Sequence, residues 1–487
     1  MSDLVFLSAS QLAKAIRDRS VSALEVLEAH LAQIAQHNPV LNAIVTLDEE
    51  QAKRRALQAD AALAQGELWG PLHGVPVTIK DLFDTAGLRT TWSYRPRANY
   101  IPQQDATAIA RLRAAGAILI GKTNMPERAI GPQCDSPLFG RANNPWNLNC
   151  TPGGSTGGGA AAVAAGLSPL EIGSDLGGSI RLPAHFCGVF GFKPTEHRVS
   201  MAGASLKLKG AKAALQHMRV AGPLAREISD LRLGLSLIEG PDGRQWSVPP
   251  VAAEPKQERP LRECRFAWTD NFGGIPVAAE TQTTLENLAV MLEQLGCRVE
   301  RCNPPGFNFT SALQTFGEII GTEIGVTTPT LNRLLLSIVF RARSESEPLF
   351  RGLAKSAALS MQRYFEVLQH RDALIAEMEQ FISDWDAWLC PVAPGPAFTH
   401  RKLLHPLLGG PLEVDDQKLP YWLWSITYTA VFNLTGNPAV VLPVALSQSG
   451  LPIGVQLVGR RWKDMQLLTI ASKLVEVTGS FQRPLGY

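Results

Sequence analysis

Residues 153–181 read GGSTGGGAAAVAAGLSPLEIGSDLGGSIR, and this stretch decides the fold. Its middle is an alanine run that reads as a helix, because alanine is the best helix former. The helix is expected over AAAVAAGLSPL at 160–170, and LEIGSD at 170–175 reads as the end of a strand. Outward from it the same alternation continues. LHGVPVTIK at 72–80 reads as a short buried strand ending in lysine, DATAIARLRAAG at 105–116 as a helix with a glycine stop, and AILIG at 117–121 as the next strand. NPAVVLPVAL and LPIGVQLVG, near the C-terminus, return to strand texture. Strands alternating with helices predict an α/β sheet covered on both faces.

The rest of the chain is less regular. Ser8 with Gln11, and Ser22 with Glu25, fit the capping box of a helix start. Leu24, Leu27, Leu31 and Ile34 then recur at helical spacing, and Pro39 is expected to end that helix. Residues 205–425 carry several helical stretches, and 241–262 is a Pro- and charge-rich excursion expected to be exposed. No repeat divides the chain. It reads as one domain over 1–487: N-terminal helices at 1–65, a core at 70–200, a variable region at 205–425 and a return to the core at 430–487.

The 487 residues are 45% hydrophobic and 18% charged, enough to bury a large core. A net charge of +2 gives no basic field for nucleic acid. Seven cysteines without a CxxC pair fit a reduced, cytoplasmic protein rather than a disulfide framework. MSDLVFLSAS has no signal-peptide pattern, and LLLSIVF at 334–340 is far below the roughly 18 residues of a spanning helix. The reading therefore expects no membrane association.

Three motifs need weighing. GAILIGKT at 116–123 matches a phosphate-loop pattern, which needs a spacer that curls its N–H groups around phosphates; here the spacer reads as an apolar strand, and the structural reading is preferred. GGSTG at 153–157 matches the nucleophile elbow, with Ser155 as nucleophile and a histidine among 185, 197, 217, 370, 400 and 405 as partner. The turn-forming text before it, NNPWNLNCTP, is not the apolar strand an elbow requires. No histidine pair has metal-ligand spacing, so no metal and no cofactor is expected.

The second cluster supplies more. A serine nucleophile needs a base, and acyl transfer needs backbone N–H groups aimed at the developing oxyanion. SDLGGS at 174–179 offers consecutive N–H groups at Leu176, Gly177 and Gly178 leading directly to the Ser179 hydroxyl.

The chain is similar to members of the amidase signature family of serine hydrolases. The resemblance is carried by GVPVTIKD at 74–81, GAILIGKTNMPE at 116–127, FGRANNPWNLNCTPGGSTGGGAAAVAAG at 139–166, EIGSDLGGSIRLPAHFCGVFGFKPT at 171–195 and LPIGVQLVG at 451–459. It implies a large mixed, twisted sheet with helices on both faces, and a Ser–cis-Ser–Lys triad. By position the nucleophile is Ser179, the bridging serine Ser155 and the base Lys80, although Lys122 and Lys193 lie close in sequence. Asp175 and Arg181 are expected to hold the cluster by hydrogen bonds. Two departures from the family text, Thr156 for a second serine and Ser174 for threonine, both keep a hydroxyl.

The implied activity is hydrolysis of a small-molecule carboxylic amide without cofactor. The resemblance also implies that Ala129, Ile130 and Gly131 line the acyl pocket, and their character suggests an uncharged acyl group. Trp422, Trp424 and Tyr428 read either as an entrance or as core. The runner-up is the amidase component of a tRNA-dependent amidotransferase. An ester or carbamate hydrolase, a dead scaffold and a nucleotide-binding protein are the further alternatives, and the sequence is compatible with a homodimer.

Overall fold

The computed structural model describes residues 4–205, 215–251, 254, 259–403 and 409–487. His405, and residues 252–253 and 255–258 of the predicted excursion, lie outside them; half of the remaining excursion is exposed.

Eleven strands form one mixed sheet. In chain order they are β1 (Ile44–Leu47), β2 (Pro76–Lys80), β3 (Ile118–Thr123), β4 (Leu170–Asp175), β5 (Phe190–Lys193), β6 (Val220–Ala225), β7 (Arg265–Trp268), β8 (Arg298–Arg301), β9 (Ala387–Pro391), β10 (Ala439–Leu446) and β11 (Pro452–Val458). They lie in the order β1-β3-β2-β4-β6-β5-β10-β11-β9-β7-β8. β3, β2 and β4 are parallel, as are β9, β7 and β8, and an antiparallel centre joins the two groups.

Both faces of the sheet are covered. On β9, Ala387 and Leu389 belong to one apolar core while Trp388 and Cys390 belong to another, as alternation across a strand requires. The first core takes the helices Ala9–Arg17, Ala23–Leu41 and Gly157–Ala164; the second takes Phe309–Gly325 and Met361–Ile382. Among the described residues no helix is long and apolar enough to cross a membrane.

Both capping boxes are present. Three expectations are corrected. Pro39 lies inside the helix Ala23–Leu41, which ends at Asn42 in the left-handed conformation; a proline in the last turn removes one bond while its fixed φ suits the helix. Lys122 lies within β3 rather than past it. The helix after the first glycine cluster begins at Gly157, inside the cluster. Those glycines serve close packing: a Cβ on Gly158 would stand 2.5 Å from the Ala43 carbonyl oxygen, and one on Gly159 2.5 Å from Glu171 Oε1. The buried helix can sit on the sheet only with bare backbone there.

Candidate active site

β2 and β4 are parallel neighbours, with Ile79 beside Ile172. Their C-terminal ends therefore emerge side by side, the usual place for a site in such a sheet. Lys80 is the last residue of β2 and Asp175 the last of β4.

The Lys80 ammonium position is fully buried and surrounded by oxygen atoms. Nζ lies 2.7 Å from Ser155 Oγ, 2.9 Å from Thr156 Oγ1, and 3.0 and 3.3 Å from Ser174 Oγ and O. The two residues that depart from the family text are thus both hydroxyl neighbours of this lysine. No carboxylate among the described residues touches it. Burial disfavours the charged form and lowers the Lys80 pKa from 10.5 to about 7, against the pull of Asp175 and Glu171.

Sequence left three lysines open, and the structure separates them. Lys122 Nζ points to the Phe83 carbonyl and to Thr85 and Thr90. Lys193 Nζ bonds the Pro194 carbonyl at 2.9 Å. Neither reaches a serine. Lys122 is also sealed in the strand, which removes the phosphate-loop reading.

Ser155 follows a cis peptide bond from Gly154 and is buried. The Thr156 N–H donates to the Ser179 carbonyl at 3.0 Å, so the loop of Ser155 is fastened to the loop of Ser179. Ser179 itself is half-buried, and its hydroxyl makes no hydrogen bond among the described residues. No histidine among them contacts Ser155, which leaves the elbow reading without its base. His185 uses both ring nitrogens on the Gly395 carbonyl and the Gly454 N–H.

Asp175 and Arg181 form a fully buried ion pair at 3.0 Å. Asp175 accepts from Gly178 N–H at 2.8 Å, from Ile180 N–H at 3.0 Å and from Arg181 Nε at 3.1 Å. Burial pushes this carboxyl up, but the Arg181 charge and the hydrogen bonds outweigh it and hold it well below the carboxylate range. This corrects one expectation: the Gly178 N–H is occupied by Asp175 and is not an open donor. The N–H groups of Leu176, Gly177 and Ser179 make no hydrogen bond among the described residues.

Residues that sequence reading did not single out complete the clamp. Arg181 donates to the Thr429 carbonyl at 2.9 Å, to Gln456 Oε1 at 3.1 Å and to Asn433 Oδ1 at 2.5 Å. Asn433 Nδ2 returns a bond to Asp175 at 2.9 Å. The available signals were weak: an amide inside the apolar strand LPIGVQLVG, and another in the short apolar helix Ala430–Leu434.

Of the three pocket residues, Gly131 borders the serine loop: its carbonyl oxygen lies so close to Gly154 that a Cβ there would clash with it. Ala129 is half-buried, and the Ile130 side chain is exposed. Trp424 and Tyr428 are core residues, and Trp422 is half-buried against them.

Gly178 has φ +119°, and an added Cβ would lie 2.5 Å from Thr429 Oγ1. Gly178→Ala is therefore expected to lose about 2 kcal/mol or more of stability, from backbone strain and overpacking together. Urea denaturation of the two proteins measures this; an unchanged midpoint would mean the loop yields freely.

Comparison with known proteins places this geometry in context. The family model described as Amidase matches residues 25–468. A component of the glutamyl-tRNA(Gln) amidotransferase of Geotalea daltonii is 30% identical, covering 99% of each chain. Indoleacetamide hydrolase of Bradyrhizobium diazoefficiens is 33% identical, covering 97% of this chain and 86% of that one. Among solved structures, 6-aminohexanoate cyclic dimer hydrolase complexed with substrate is similar with TM-score 0.79 and 26% identity, covering 99% of each chain.

Proposed function

The chain belongs to the amidase family, and from that premise we propose that it hydrolyses a carboxylic amide of a small molecule through an acyl-enzyme on Ser179. The observation that carries the reading is the buried Lys80, lowered to about 7 and 2.7 Å from Ser155 Oγ.

In this reading neutral Lys80 accepts the Ser155 proton while Ser155 accepts that of Ser179. Ser179 Oγ bonds to the amide carbon, and the carbonyl oxygen takes the negative charge. The N–H groups of Leu176, Gly177 and Ser179 are the donors available to it. The relay then returns the proton to the amide nitrogen, the C–N bond breaks and ammonia or an amine leaves. Water attacks the ester carbon by the same relay, releasing the acid and restoring Ser179. Asp175 and Arg181 hold the loop and do no chemistry. Gly131 and Ala129 line the acyl side.

The test is a fluorophosphonate probe with peptide mass mapping, run beside a panel of acetamide, benzamide and 4-nitroacetanilide. Covalent mass is expected on the peptide containing Ser179, with release of acid from at least one amide. Labelling of Ser155 with Ser179 untouched would return the elbow reading.

A second reading has one observation in its favour. Likeness to the Geotalea daltonii amidotransferase component spans the whole chain, so the same triad would suit ammonia release from glutamine for a partner protein. Glutaminase activity that rises on adding the other components of such an enzyme, with no turnover of the panel, would select it.

A further inference from the structure

Between the open N–H groups of Gly177 and Ser179 lies one peptide unit that offers none, the Gly177–Gly178 peptide. It is held at both ends. Its N–H donates to Asp175 Oδ1 at 2.8 Å, and its carbonyl accepts from the Thr429 hydroxyl at 2.7 Å. Fixing the plane of this peptide fixes the orientation of its two neighbours, because they share its α-carbons.

Thr429 occupies the N-cap position of the helix Ala430–Leu434. A threonine there ordinarily turns its hydroxyl onto the N–H groups of its own helix. This one makes no such bond. Its hydroxyl lies 2.7 Å from the Gly177 carbonyl and 3.3 Å from that of Ile426, and its single proton serves the nearer oxygen. The Thr429 carbonyl faces the same loop and accepts from Arg181. The residue is buried, and it packs on Gly178 closely enough to exclude a side chain there.

We infer that Thr429 is a positioning residue for the oxyanion donors: its hydroxyl sets the tilt of the Gly177–Gly178 peptide and thereby aims the flanking N–H groups of Gly177 and Ser179. The inference rests on the reading that Ser179 is the acylated serine. It adds a residue far along the chain that touches neither substrate nor the transferred protons.

Displaced oxyanion donors weaken binding of the tetrahedral anion and leave ground-state binding alone. Removal of one oxyanion donor outright costs about 10²–10³ in rate, so loss of the residue that aims them is expected to cost less. Thr429→Val removes the hydroxyl and keeps the shape; Thr429→Ser keeps the hydroxyl and removes the methyl. The readouts are kinact and KI for a fluorophosphonate, and inhibition by phenylboronic acid, which forms a tetrahedral anion on a serine. In Thr429→Val, kinact is expected to fall about 10- to 100-fold with KI within twofold, and phenylboronic acid binding to weaken by a similar factor. Thr429→Ser should stay within about threefold of the parent, because conservative restoration of the bond restores the aim.

Equal kinact in Thr429→Val and the parent overturns the inference. So does a Thr429→Ser variant as slow as Thr429→Val, which would assign the effect to methyl packing. Thr429→Ala provides the same comparison if valine prevents folding. Absence of labelling at Ser179 in the parent would sink the acyl-enzyme reading itself, a result distinct from parent labelling with an unaffected Thr429→Val.

Discussion

Ser179→Ala is expected to abolish amide hydrolysis, with a fall on the order of 10⁴-fold or more, because the acyl-accepting oxygen is gone and no other group replaces it. The fold should not notice. The Ser179 hydroxyl makes no hydrogen bond among the described residues and the residue is half-buried, so its loss leaves no buried polar group unpaired. Such sites usually shift stability by about 0.5 kcal/mol or less. Ser155→Ala is a useful contrast. It also removes most turnover, yet it leaves Ser179 and the donors in place, so a fluorophosphonate should still label Ser179 slowly. Turnover and labelling are followed side by side with a thermal melt. A Ser179→Ala protein that still releases acid at a tenth of the parent rate would place the nucleophile elsewhere.

The second large effect concerns Lys80. An ammonium has no lone pair, so only the neutral amine can accept a proton. With its value near 7, activity should rise with pH through about 7 and level off above it. Lys80→Met should lose almost all turnover at neutral pH, and Lys80→Glu should recover a little because a carboxylate can accept a proton. Stability moves independently. The folded value lies below the unfolded value of 10.5, so the unfolded chain binds more protons between about 7 and 10.5. The Lys80 contribution to stability is therefore poorest below 7 and improves as pH rises through that window. Lys80→Met removes this burden and should melt no lower than the parent at pH 7. Parent-like turnover with an unchanged pH profile would move the base elsewhere. Lys193, also lowered by burial to about 7, would then be the next residue to replace.

The sheet was legible in part: β2, β3, β4, β10 and β11 show as apolar runs, whereas β1 and β5 to β9 were not read as strands, although β7 and β8 pair with only about thirty residues between them. The runs ending at Lys80, Thr123 and Asp175 announce themselves by apolar texture and glycine stops. Pro39 misled because proline is a breaker in a helix interior and is tolerated in the last turn. The lysine could not be chosen from the residues alone: all three follow apolar strand text, and only the placement of β2 beside β4 brings one of them to a serine. Gly178 looked like an open donor because a free N–H and a bonded one have the same letter. Thr429, Asn433 and Gln456 were invisible because their partners stand some 250 to 275 residues earlier. No local period records a contact of that span.

That span has a consequence for how the protein comes into being. Synthesis proceeds from the N-terminus, and domains form as the chain emerges. Lys80, Ser155 and Ser179 are all made long before the segment that braces them. Arg181 must wait for Thr429, Asn433 and Gln456, which follow it by 248, 252 and 275 residues. A nascent chain that reaches only as far as β6 contains the three proposed triad residues but not the partners of Arg181. In the proposed reading, hydrolytic competence would follow the arrival of these three partners rather than the synthesis of the triad itself.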